Sequence, residues 1–153
     1  MIAAPPAIHA HVPTCRSGVL HVRLGASNGA AGTIYYPIIF TNSGAVRCAL
    51  RGFPGVSSIN GAGRQVGSPA RWEPGVKVRT VVLAPGRSAS ATYGQAQALN
   101  FPQARCHPVS ARGLRVYPPN ETRSRLLVSK HLACSSTGVG DSSIRAVVPG
   151  VTG

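Results

Sequence analysis

A chain of 153 residues with 16 Lys and Arg against 3 Asp and Glu carries a formal net charge of +13. That length fits one domain able to bury most of its apolar surface, and a 43% hydrophobic share excludes a disordered polymer. So few acids nearly exclude hydrolysis by paired carboxylates, and no window approaches the roughly 18 apolar residues of a transmembrane helix.

Residues 1–14 read as a loose tail. Its start, Met1-Ile-Ala-Ala-Pro-Pro, is too short and too Pro-broken for an intact signal peptide. The expectation is a trimmed or mature chain, Met1 being added or mis-assigned. A first strand follows from the alternation of Leu20, Val22 and Leu24 with His21 and Arg23. Thr33–Asn42 is denser and reads as a central strand, where Pro37 removes a ladder donor and implies a bulge or an unpaired side. Short strands are expected at Cys48–Gly52 and Val56–Ile59, the latter closed by the hairpin signal Asn60-Gly61. Val76–Leu83 and Ser88–Tyr93 flank a tight turn at Ala84-Pro85-Gly86-Arg87. Gly94–Asn100 has room for one helical turn, ended by Pro102. Gly113–Tyr117 and Arg125–Ser129 form a hairpin around Pro118-Pro119, and Ser143–Val148 is the last strand. The reading is an all-β domain over 15–148, of about eight to nine antiparallel strands in two packed sheets, with a tail at 149–153.

The cysteines sharpen this. Cys15 and Cys48 flank the turn signal at Gly25–Gly32, while Cys106 and Cys134 flank Pro118-Pro119-Asn120. Residues equidistant from a turn meet at the open end of a hairpin. Of the three connectivities that four cysteines allow, Cys15–Cys48 with Cys106–Cys134 is therefore expected. Two disulfides point to an oxidising compartment, and so to an export signal upstream.

Chemistry is sparse. His107 or His131 is available to a Ser-His-acid triad, but no Gly-x-Ser-x-Gly elbow exists. His9 and His11 sit in the tail, where a solvated segment is favoured over a copper or zinc site, and neither a metal nor a cofactor is expected. Gly61-Ala-Gly63-Arg-Gln-Val-Gly67 has the wrong spacing for a dinucleotide fingerprint and reads as a hairpin. Asn120-Glu121-Thr122 matches a glycosylation sequon by pattern only, and reads as a turn. The protein is expected not to be an enzyme.

Two basic groups remain. Arg64, Arg71, Lys77 and Arg79 fall around Trp72, the only Trp; Arg112, Arg115, Arg123 and Arg125 fall with Tyr117 on the second hairpin. On a strand, Arg123 and Arg125 would share a face. Such faces suit an acidic protein or an anionic polymer, weighed against a plain solvated exterior.

Cys48-Ala-Leu-Arg-Gly-Phe-Pro-Gly-Val-Ser57, the run from Cys106 through Gly-Leu-Arg-Val-Tyr-Pro-Pro119, Thr41-Asn-Ser-Gly44 and Leu83-Ala-Pro-Gly86 occur in the order found in the secreted actinobacterial domain of unknown function 4232 family. The chain resembles that family over about residues 14–148. The resemblance implies an immunoglobulin-like β-sandwich, exported or lipid-anchored at the cell envelope, with no catalytic residues to carry over. No lipobox cysteine precedes Cys15, a departure that favours a freely secreted form. The expected function is a non-enzymatic binding or structural module at the envelope, whose partner is an envelope protein or an anionic polymer. The alternative is a polyanion-binding protein for nucleic acid or envelope polymer, nucleic acid being the less favoured.

Overall fold

Residues 11–153 are described by a computed structural model, and they form an all-β fold with two disulfides. The strands are β1 (Leu20–Leu24), β2 (Asn28–Ala30), β3 (Thr33–Asn42), β4 (Cys48–Arg51), β5 (Gly55–Ile59), β6 (Gln65–Val66) and β7 (Arg71–Trp72). There follow β8 (Thr80–Leu83), β9 (Ser88–Ala96), β10 (Pro108–Tyr117), β11 (Arg125–Cys134), β12 (Ser142–Ile144) and β13 (Val148–Pro149).

These outnumber the eight or nine expected. β2, β6 and β7 are two or three residues long, too short to show a period. The expected last strand is split into β12 and β13. Between them Ala146 and Val147 are both buried, and the Val147 amide leaves the ladder to donate to the Gly52 carbonyl at 2.9 Å. The expected helical turn is present as a single 3-10 turn at Ala98–Asn100, with Gly94–Ala96 remaining in β9. A second turn, the α-helical α1 (Gln103–Cys106), begins directly after Pro102. Proline at a helix start loses no hydrogen bond that the helix would have made.

Three sheets result. One runs β1-β3-β9-β12-β7, with β2 added to β3 and β13 to β9; the second runs β11-β10-β5-β6; the third is the pair β4-β8. Pairing is antiparallel apart from β7 on β12, which is parallel. Pro37 sits where β1 has ended and β2 has not begun: β1 pairs β3 up to Ile38, β2 pairs it from Tyr35, and only the Pro37 carbonyl is engaged on that side, by the Gly25 amide at 2.8 Å. Its missing donor therefore faces a gap in the ladder. On the other side Pro37 pairs Thr92 of β9 without interruption.

The inward side chains of all three sheets share one core. Leu20, Ile38, Phe40, Ala91, Tyr93 and Ile144 from the first sheet pack with Val56, Leu114 and Val116 from the second and Leu50, Val81 and Leu83 from the third. Burial of these groups, at roughly 25 cal/mol per Å² of apolar surface, is the main stabilising term.

Both disulfides join the expected partners, and no cysteine among the described residues is free. They do so in different ways. Cys106–Cys134, with Cα atoms 4.6 Å apart, closes the open end of the β10–β11 hairpin, where Pro108 pairs Cys134. Cys15–Cys48, 4.8 Å apart, joins two sheets: β1 pairs β3, but Cys48 lies on β4, and Thr14 meets Ala49 through a parallel bridge.

The chain beyond 148 is tied down as well. The Gly150 amide donates to the Ser88 carbonyl at 3.0 Å, and the Gly153 amide to Ser90 Oγ at 2.8 Å.

Candidate binding faces

β11 is an edge strand whose exposed positions alternate: Leu126, Val128, Lys130 and Leu132. Opposed residues of an antiparallel pair share a face, so Arg115 of β10 stands beside Leu126, and Gly113 beside Val128. Leu126, Val128 and Leu132 remain 59%, 73% and 41% exposed. Between Ala111 and Gly113 the register slips, two residues of β11 (Ser129 and Lys130) opposing Arg112 alone. The bulge leaves Arg112 and Lys130 lining one hollow, with Arg112, Leu126 and Val128 around its neighbour.

The predicted basic residues are redistributed by the fold. Arg64 is exposed at the end of the β5–β6 turn, and Arg115 donates to the carbonyl of its neighbour Gly63. Tyr117 pairs Gly55, where an added Cβ would lie 3.5 Å from its ring. Arg71 and Trp72 form β7 at the edge of the other sheet. Arg71 donates to the Gly140 carbonyl, and Trp72 stacks on Phe53 with ring centroids 4.6 Å apart while staying 67% exposed. Lys77 and Arg79 are exposed in the coil before β8. The group expected around Trp72 is thus divided among a turn, the short strand β7 and the coil before β8. Arg123 precedes β11, so it and Arg125 do not share a strand face. Ser17 Oγ donates to the Arg123 carbonyl at 2.7 Å, and Arg125 donates to the Ser17 carbonyl at 2.7 Å.

Two of the three acids are committed locally. Glu121 accepts the Ser17 amide at 2.6 Å and pairs Arg16 at 3.4 Å, the one ion pair among the described residues. Asp141 is buried, its Oδ2 accepting from Gln95 Nε2 at 3.1 Å and from the Cys134 amide at 2.9 Å. Glu73 has an amide bonded to the Ile144 carbonyl and no ion pair.

Among the described residues no histidine pairs with an acid. His131 Nδ1 meets the Ser129 carbonyl at 2.7 Å, so it carries the proton, and Nε2 faces Ser58 Oγ at 2.8 Å. Ser58 is 7% exposed. A Ser-His pair thus exists, but its third member is a carbonyl and its hydroxyl is covered. His107 Nδ1 lies 2.7 Å from Ser136 Oγ at the surface. Among the described residues no three His, Cys, Asp or Glu side chains converge, and no helix is long and apolar enough to cross a membrane. His9 lies outside the described residues.

The exposed apolar stripe was missed in sequence because the expected strand stopped at Ser129; its signal, the alternation Leu126-x-Val128-x-Lys130-x-Leu132, was present. Arg23 and Arg145 also face one cleft, on the first sheet. No local spacing joins residues so far apart in the chain.

No curated protein and no solved structure matches the chain. The model of a family described as a domain of unknown function, DUF4232, matches residues 15–147, and the protein belongs to that family.

Proposed function

We propose that the chain is an exported, non-enzymatic binding module of the bacterial cell envelope, an immunoglobulin-like β-sandwich over 15–148 that docks an acidic envelope protein on the outward face of β10 and β11. One observation carries this reading: Leu126, Val128 and Leu132 stand exposed on an edge strand among Arg112, Arg115 and Lys130. Apolar anchors inside a charged rim are the anatomy of a protein interface. An edge strand adds unpaired backbone groups to which a partner segment can bond. Two disulfides support export. The buried Ser58 hydroxyl and the local commitment of Asp141 and Glu121 support a non-enzymatic role.

The test is crosslinking capture from envelope extract with the wild type and with Val128→Ser and Leu126→Ser. A product lost in both variants and retained at high salt supports the reading; equal capture by all three overturns it.

The net charge of +13 favours a second reading, an anionic polymer held by charge alone. Retention on poly-glutamate would then fall steeply with salt, as counterion release requires, and Val128→Ser would leave it unchanged.

A further inference from the structure

A cleft of about 600 Å³ opens on the face of the first sheet turned away from the core. Its floor follows from strand register. Arg23 stands opposite Ile39, Pro37 opposite Thr92, and Tyr35 opposite Gly94, while the Thr92 carbonyl takes the Arg145 amide at 3.0 Å. These alternate with Ile38, Phe40, Ala91 and Tyr93, which are buried in the core. Two glycines let the rings lie low. A Cβ on Gly94 would come within 2.9 Å of the Tyr35 ring, and one on Gly25 within 2.5 Å of Pro37 Cγ. The result is a smooth, ring-lined platform.

Two guanidinium groups border it, and no acid lines it. Arg145 Nε is buried with no hydrogen-bond partner. A buried charged donor left unpaired is costly, and natural structures rarely keep one without a reason. The Nε–Nη edge of a guanidinium matches both oxygens of a carboxylate. Val151 and Thr152 form part of the exposed rim of the same cleft.

We propose that this cleft binds a small carboxylate-bearing ring compound, the carboxylate held by Arg145 and Arg23 and the ring laid on Tyr35 and Pro37. The site is on a different sheet from the β10–β11 face, so either assignment stands if the other fails.

The test is titration of isotope-labelled protein with benzoate and with galacturonate, beside the neutral counterparts benzamide and galactose. Saturable shifts centred on the amides of Arg23, Tyr35, Gly94 and Arg145 are expected with at least one acid and with neither neutral compound. Arg145→Lys keeps the charge but not the fork, and should weaken binding about tenfold; Arg23→Gln, at an exposed position, should do the same without touching the fold. Absence of saturation with both acids, equal shifts with the neutral compounds, or unchanged binding in Arg23→Gln would overturn the proposal. Shifts scattered over Arg112, Lys130 and other surface cations would overturn it too. If Arg145→Lys does not fold, Arg23→Gln decides alone.

Discussion

Asp141 accepts the backbone amide of Cys134 on Oδ2 at 2.9 Å, while its own carbonyl takes the amide of Ala96 at 2.8 Å. One residue therefore ties the disulfide-bearing end of β11 to the end of β9, across two sheets. Asp141→Ala leaves the Cys134 amide and Gln95 Nε2 without this acceptor in a buried place, at a cost of about 1–3 kcal/mol. Chemical denaturation should show it, and Asp141→Asn, which keeps one acceptor oxygen, should recover part of the loss. Equal stability of wild type and Asp141→Ala would show that the link carries nothing.

Gly113 sits at the register slip of β10 and β11, where an added Cβ would drive into the carbonyl oxygen of Leu127. Gly113→Ala should destabilise by roughly 1–3 kcal/mol, the scale of overpacking. Gly61 has open space around it, so Gly61→Ala should stay within about 0.5 kcal/mol of wild type. A matching pair of melting temperatures for the two variants would contradict the bulge geometry.

Tyr93 is 2% exposed, and its hydroxyl donates to Gln95 Oε1 at 2.6 Å. Burial pushes that hydroxyl well above the ordinary tyrosine range; the Ser58 hydroxyl opposes the shift and the charge of Asp141 adds to it. The unfolded chain ionises this group near the usual 10.0, while the folded chain keeps it neutral. The contribution is thus full below pH 10 and is lost as pH rises toward the folded value. Urea midpoints should fall with alkali beyond pH 10, and Tyr93→Phe should flatten that fall. The same slope in both proteins would remove Tyr93 as its source.

The disulfides close loops with sequence separations of 33 and 28. In the chain-entropy argument each contributes about 3.5 kcal/mol, nearly independent of which is chosen, since the dependence on length is logarithmic. Replacing Cys106 and Cys134 together by Ala should lower the melting temperature without abolishing the fold, because the shared core is untouched. Complete unfolding would mean that the core is weaker than its packing implies.

Much of the fold was legible because alternation is a local signal. Leu20, Val22 and Leu24 announced β1, and the dense apolar stretch Ile34–Phe40 within Thr33–Asn42 announced the central strand. Cysteine order gave both pairings, although for Cys15 the hairpin logic was incomplete: the chain crosses from β3 to another sheet before it reaches Cys48. Strands of two or three residues, such as Arg71–Trp72, exist only through their partners, and β7 depends on a parallel contact with β12 that nothing local encodes. The basic groups failed to stay together for the same reason. Proximity in sequence placed Arg64 near Arg71, whereas sheet order placed its neighbour Gly63 against Arg115. Arg23 and Arg145 needed the whole order β1-β3-β9-β12 before they bordered one cleft.

Arg112, Arg115, Arg123, Arg125 and Lys130 all lie within the loop closed by Cys106–Cys134, and Arg16, Arg23 and Arg47 within that closed by Cys15–Cys48. A protease that cuts after basic residues therefore finds half of its targets where a single nick severs the backbone but not the molecule. The pieces stay joined through sulfur and held by the same ladders. A cut at any of these sites would leave a particle of undiminished mass that separates only after reduction.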